Sequence, residues 1–223
     1  MRIYCDFDGT ISRRDSTDFI LEALADPDWR RLQVEWEAGR ISADVCMRGQ
    51  VALIGGADAD LDELLDTVEL DPGFAAFVEW AERRGLPLGV VSDGVDYFIA
   101  RILSRHGLQR LPVVANNLVG SPGRRRLEHP PKPIDCASGS GVCKCQATSG
   151  ASGAGPLVFV GDGRSDYCVA ARADVLFAKG ALAIHSAERG QAYHPFDTFR
   201  DVLRTLEWLA GDHLPSRLSA ACD

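Results

Sequence analysis

Asp6-Phe7-Asp8-Gly9-Thr10 follows directly on a short apolar run, Ile3-Tyr4-Cys5. Side chains two apart on an extended strand point the same way. The sequence therefore sets two carboxylates, Asp6 and Asp8, side by side where a first strand ends, and Gly9 lets the chain turn sharply after them. Two carboxylates at that spacing repel, and a divalent cation or a shared proton is what offsets the repulsion. A single D-x-D pair in an acidic chain says little. Its place between a strand and a turn says more, and later segments of the chain complete it.

Further apolar runs bounded by turn residues recur down the chain. They are Leu86-Pro87-Leu88-Gly89-Val90-Val91, Pro112-Val113-Val114, Leu157-Val158-Phe159-Val160 and Val175-Leu176-Phe177. Continuous apolar runs of this length suit strands buried on both faces. Helical spacing lies between them, with Phe74, Phe77, Val78 and Ala81 on one stripe and Phe98, Ile99, Ile102 and Leu103 on another. Alternating strands and helices predict an α/β fold with a Rossmann-like parallel sheet. Residues 12–70 break the alternation and read as helices alone. Asp15 or Ser16 caps the first, Asp28 the second and Ser42 the third. The expected organisation is an α/β core over residues 1–11 and 71–223, with a small helical cap, residues 12–70, inserted after the first strand. Residues 120–155 turn to Gly, Ser, Pro, Ala and Cys and read as loop, with room for a hairpin at the start.

The chain has 223 residues and a formal net charge of −8. That length buries a real core. The acidic balance argues against nucleic acid as a partner, because phosphate backbones need a basic face. Arg124-Arg125-Arg126 is the one basic cluster, and it reads as a solvated loop. No run reaches the roughly 18 apolar residues of a membrane span, and Met1-Arg2-Ile3 enters a strand with no signal-peptide core. The expectation is a cytoplasmic protein, monomer or homodimer. Its seven cysteines, an odd number, are expected as reduced thiols.

Two other segments carry chemistry. Ser92-Asp93-Gly94 follows the run ending at Val91, and a hydroxyl beside glycine-freed backbone N–H groups suits an anion or, equally, an ordinary turn. Gly161-Asp162-Gly163-Arg164-Ser165-Asp166 follows the run ending at Val160. A helix starting between the two acids turns Asp166 back toward the corner where Asp162 lies. In an open α/β sheet, ligands bind outside the carboxyl ends of the strands. Asp6, Asp8, Ser92, Asp162 and Asp166 all fall at such ends. Carboxylates gathered there call for a hard cation, and Mg²⁺ takes oxygen ligands.

With a lysine ahead of the last segment, these stretches resemble the four motifs of the haloacid dehalogenase superfamily over almost the whole chain. The helical insert after the first motif is similar to that of the phosphoserine-phosphatase-like subclass. Leu70-Asp71-Pro72-Gly73-Phe74, the Cys-rich run before the lysine and Tyr193-His194-Pro195-Phe196 resemble the methionine-salvage phosphatases that act on a keto-enol phosphate. The resemblance implies a small-molecule phosphate ester as substrate and Mg²⁺ as cofactor. It implies Asp6 as nucleophile and Asp8 as the acid and base that serves the leaving oxygen and then water. It implies Asp6, Asp8 (through its backbone carbonyl), Asp162 and Asp166 around the metal. Ser92, Asp93, Gly94 and a lysine would hold the phosphoryl oxygens. Only three lysines are available, Lys132, Lys144 and Lys179. Lys144 is the first choice and Lys132 the second; Lys179 comes after the fourth motif. The stretch that follows Lys144 is a poor helix former.

The same residues leave phosphoserine hydrolysis and phosphotransfer to another acceptor as alternatives, with a non-catalytic binding or redox module as a third. Cys136, Cys143 and Cys145, near His129, allow zinc, a disulfide or packed thiols; Cys5 and Cys168 are expected in the core. Asp15, Phe19, Trp36, Met47 and Arg48 are the candidates to face the cleft from the cap.

Overall fold

The structure, a computed structural model, describes residues 1–131, 133, 139–149 and 155–211. Lys132 and Cys136 lie outside the described residues. The chain opens with strand β1 (Arg2–Cys5) and enters four helices, α1 (Ser16–Leu24), α2 (Trp29–Glu37), α3 (Ala43–Ala52) and α4 (Asp58–Leu65). Alternation then begins with α5 (Phe74–Arg83), β2 (Leu88–Val95), α6 (Asp96–Arg105), β3 (Val113–Val119) and β4 (Arg126–Glu128). It continues with α7 (Lys144–Ser149), β5 (Leu157–Gly161), α8 (Tyr167–Ala170), β6 (Val175–Ala178), α9 (Gly180–Glu188), β7 (His194–Pro195) and α10 (Phe199–Leu209).

The sheet runs β4-β3-β2-β1-β5-β6-β7, parallel throughout except for β4 against β3. β1 lies in the middle, with Ile3 opposite Leu88 on one side and Val158 on the other. The chain leaves β1 toward β2 and later returns to its other edge with β5, and that reversal opens the crevice where loops diverge. Burial on both faces follows from the period of two. Val158 and Val160 pack with Phe74, Phe77, Phe98 and Phe199 from α5, α6 and α10. Leu157 and Phe159 point the opposite way, into a second cluster with Val169, Leu182 and Cys145.

Local chemistry sets the helix starts. Asp15, not Ser16, caps α1 by accepting from Asp18 N. Ser42 caps α3 by accepting from Val45 N at 3.3 Å. Asp28 precedes α2 but makes no side-chain cap bond; its own N–H donates to Asp26 Oδ1 at 3.0 Å.

Three expectations are corrected. The 120–155 stretch opens on the hairpin allowed for there, β3 with β4, but it is not otherwise all loop: α7 starts at Lys144 despite its weak propensity, because Lys144, Cys145 and Thr148 are buried and tertiary packing overrides propensity. β2 runs past Ser92 to Val95, with its register against β3 shifting between Val91 and Val95, so Ser92 sits on an irregular stretch of strand. Arg125 is not a solvated loop arginine. Its side chain is 1% exposed, and its guanidinium donates to the carbonyls of Ile54, Gly55 and Gly56 and to Asp58 Oδ1 at 2.7 Å. It ties the β3–β4 hairpin to the loop between α3 and α4, whose carbonyls have no helical partners there.

Arg125→Ala leaves those carbonyls without their donor and is expected to cost about 2–3 kcal/mol in urea unfolding. Arg125→Lys, lacking the planar fork, should recover only part of that loss. A loss below about 0.5 kcal/mol for the alanine variant would contradict the anchoring role.

Candidate active site

Asp6 is the first residue past β1, and its N–H still donates to Val160 O at 2.9 Å, continuing the ladder to β5. Its Oδ1 accepts from Phe7 N at 2.8 Å and from Lys144 Nζ at 2.8 Å. Lys144 is wholly buried, and its ammonium also donates to Asp166 Oδ1 at 2.6 Å. The other Asp166 oxygen accepts from the N–H groups of Asp162 at 3.1 Å and Gly163 at 3.0 Å. Asp166 therefore closes the short turn at Arg164–Asp166 and holds the lysine at once. Asp162 Oδ1 accepts from Thr10 Oγ1 at 2.5 Å. Gly9, at φ +74°, permits this closeness, since a Cβ there would lie 2.7 Å from Asp162 Oδ2.

Asp6, Asp162 and Asp166 each offer an oxygen within 4.8 Å of the others. Lys144 pairs with two of these three carboxylates, and the charge of Lys179 also acts on Asp162. Burial and the charge of Asp166 push the Asp6 carboxyl up to about 8, against the pull of Lys144. Burial also raises Asp162, with Thr10 opposing. Lys144 shows the complement: burial disfavours its ammonium, but Asp166 and Asp6 outweigh burial and hold it above the ordinary lysine range. The surplus negative charge and the all-oxygen donor set fit a hard divalent cation. Among the described residues, no such ligand group includes Cys143 or Cys145.

Asp8 is held separately. Its Oδ1 accepts from Ser16 N at 2.8 Å and Ser16 Oγ at 2.6 Å, at the start of α1. Burial lifts its carboxyl to about 6, with the Ser16 bonds pulling down. Across the crevice, Ser92 Oγ accepts from Gly94 N at 2.9 Å. A Cβ on Gly94 would collide with Asp8 Oδ2 and come within 3.1 Å of Ser92 Oγ. The Asp93 carboxylate turns to the segment before Lys144, where Oδ1 accepts from Val142 N at 3.0 Å.

A cleft of about 710 Å³ lies over these groups. Asp6, Asp8, Ser92 and Asp162 line it from the sheet, while Thr17, Trp36, Cys46, Met47 and Gln50 line it from the helices. Of the cap candidates, Asp15, Trp36 and Met47 line the cleft. Phe19 instead lies under the Arg14 guanidinium, and Arg48 pairs with Asp44. Cys5 is buried, as expected, whereas Cys168 is only partly so. Sequence reading gave Ser16 only a helix-cap role and gave none to Thr10 or Thr17. Hydroxyls at helix starts and turns are common, and nothing in their spacing marks Ser16 as a partner of Asp8 or Thr10 as a partner of Asp162.

The family of haloacid dehalogenase-like hydrolases matches residues 3–171. A 2-hydroxy-3-keto-5-methylthiopentenyl-1-phosphate phosphatase of Geobacillus kaustophilus is 32% identical over 211 residues, covering 92% of this chain and 94% of the relative. The protein of that name from Brevibacillus brevis is 30% identical over 210 residues, covering 92% and 94%. Among solved structures, a phospho-aspartyl intermediate analogue of phosphoserine phosphatase superposes with a TM-score of 0.68 at 18% identity, covering 91% of this chain and 97% of the other. That likeness is one of fold. The matched residues 3–171 contain Asp6, Asp8, Ser92, Lys144, Asp162 and Asp166, and the chain belongs to the haloacid dehalogenase-like hydrolase family.

Proposed function

We propose that this chain is a Mg²⁺-dependent phosphomonoesterase working through an aspartyl-phosphate on Asp6, and that its substrate is a small keto-enol phosphate of the methionine-salvage kind. The observation that carries the reading is the buried Asp6–Lys144–Asp166 ion cluster on the cleft floor, with Asp8 beside it on its own hydrogen bonds. An Asp6 oxygen bonds to phosphorus as the ester P–O bond breaks, and Asp8 gives its proton to the leaving oxygen. Asp8 then takes a proton from the water that attacks the aspartyl-phosphate, releasing inorganic phosphate and restoring the Asp6 carboxylate. An Asp8 carboxyl lifted to about 6 suits both halves of that exchange. Lys144 offsets charge on the phosphoryl group, and Ser92 with the backbone of Asp93 and Gly94 grips its oxygens. Asp6, Asp162 and the Asp8 carbonyl, with Asp166 in support, would hold Mg²⁺, which when bound screens the Asp6 carboxylate from the phosphate and polarises the phosphoryl oxygens.

Residues 12–70 act in this reading as the cap over an α/β core of residues 1–11 and 71–223. Trp36, Cys46 and Met47 on its helices give the cleft an apolar, sulfur-containing wall that suits a thioether tail. The relatives' names point the same way. Phosphoserine is the second reading, favoured by Arg164, the one cation among the described residues that line the cleft, which lies 5.8 Å from the Trp36 ring centroid.

Phosphate release from a panel of phosphorylated metabolites is expected with Mg²⁺ and not with EDTA. Asp6→Asn should fall to background with every member, and turnover surviving in that variant would remove Asp6 as nucleophile. Lys144→Ala should lower kcat by about 10²–10³, the scale of one lost charge-stabilising donor; retained turnover would displace Lys144 in favour of Lys132. Gly94→Ala should cost about tenfold or more in kcat while circular dichroism stays unchanged, because its Cβ displaces the Asp8 carboxylate. Unaltered kinetics would show that the close approach is dispensable.

A further inference from the structure

A hydrogen-bonded chain leaves the active site through groups that the mechanism above does not use. It begins at Asn116, fully buried on β3. The Asn116 Nδ2 donates to acceptors on the active-site stretch, Asp93 O at 2.5 Å, Gly94 O at 3.3 Å and Asp93 Oδ1 at 3.4 Å, and to Met47 Sδ on α3 at 3.8 Å. Those partners fix the amide orientation, so Asn116 Oδ1 faces away, toward His129 Nδ1 at 2.6 Å. His129, just past β4, has a side chain 6% exposed, and its Nε2 lies 2.6 Å from Asp44 Oδ1 in the first turn of α3. Its two ring nitrogens thus bridge two elements that carry no covalent link near it.

The segment ahead of Lys144 is fastened to the same chain. A Cβ on Gly141 would collide with His129 Nδ1 and Asn116 Oδ1, so its backbone lies against their bond. Val142 N donates to Asp93 Oδ1, and Asp44 N donates to Gly139 O at 3.0 Å. α3 also contributes Met47 to the cleft wall.

We propose that His129 is a positioning residue that couples the cap helix α3 to the phosphate-gripping turn at Asp93-Gly94 and to the segment bearing Lys144. The position of the cap wall over the cleft and the geometry of the phosphate grip are then set together. The catalytic consequence rests on the phosphatase reading; the coupling itself does not.

The test compares His129→Ala, Asp44→Ala and Arg48→Ala with the wild-type chain. Arg48 is the control: it donates to Asp44 Oδ1 at 2.6 Å and to Leu127 O at 3.4 Å, so it joins α3 to β4 without entering the chain to Asp93. Amide hydrogen exchange followed by mass spectrometry should show faster exchange in residues 92–95 and 139–144 for H129A and D44A, by about tenfold, the scale of one lost charge-assisted hydrogen bond. R48A should exchange there as wild type does. With para-nitrophenyl phosphate and Mg²⁺, kcat should fall about tenfold in H129A and in D44A with KM little changed, and the double variant should lose no more than the worse single. D44A reads the same chain from its other end if H129A fails to fold. Wild-type exchange in both variants, additive losses in the double, or an R48A effect equal to that of D44A would overturn the coupling. Exchange is measured without turnover, so a wild type that hydrolyses nothing would sink the phosphatase reading while the exchange data still decide the coupling.

Discussion

Holding three carboxylates around one buried ammonium is the constraint on which this structure depends. Asp6, Asp162 and Asp166 come within 4.8 Å of one another, with Asp6 and Asp166 buried and Asp162 partly so at the cleft. Burial makes each charge costly, and neighbours of like sign make it costlier. Lys144 offsets part of the repulsion through two short ion pairs. The N–H groups of Asp162 and Gly163 and the Thr10 hydroxyl satisfy Asp166 and Asp162 oxygens that the lysine does not bond. The remaining imbalance is of the kind that a hard cation offsets.

The fold supplies what that corner requires. β1 and β5 are neighbours, so Asp6 and Asp162 emerge side by side, from a β1 with Ile3 and Cys5 buried and a β5 buried throughout. β2 flanks the other edge of β1 and brings Ser92 and Gly94 against Asp8. α1 starts within reach of the same carboxylate, and Ser16 fixes it. The helices after β1 then cover the crevice with Thr17, Trp36 and Met47. Rigid strands place the charges; the helical layer shapes what reaches them.

Much of this was legible before any coordinates. Apolar runs with turn residues at their ends marked five of the sheet's strands, because two-sided burial leaves a plain signature. The acids stood out because each follows such a run. Other features were not legible, for physical reasons. β7 is two residues long and β4 three, too short for a period to register. α7 forms against propensity, held by the burial of Lys144 and Thr148, and packing partners distant in sequence leave no local trace. Arg125 looked solvated because a basic triplet usually is; its partners are carbonyls about 70 residues earlier, which carry no side-chain signal. The Asn116–His129–Asp44 chain was hidden for the same reason, since each link spans distant segments.

The central claim is that Asp6 carries the phosphoryl group between substrate and water. The most direct measurement is acid quenching of the enzyme during turnover of a hydrolysed phosphate ester, followed by mass spectrometry of its peptides. The account predicts a phosphoryl group on the peptide that contains Asp6, absent from the Asp6→Asn protein and from samples prepared with EDTA. Continued turnover with no phosphorylated peptide at any quench time, or a phosphoryl group on another residue, would contradict it.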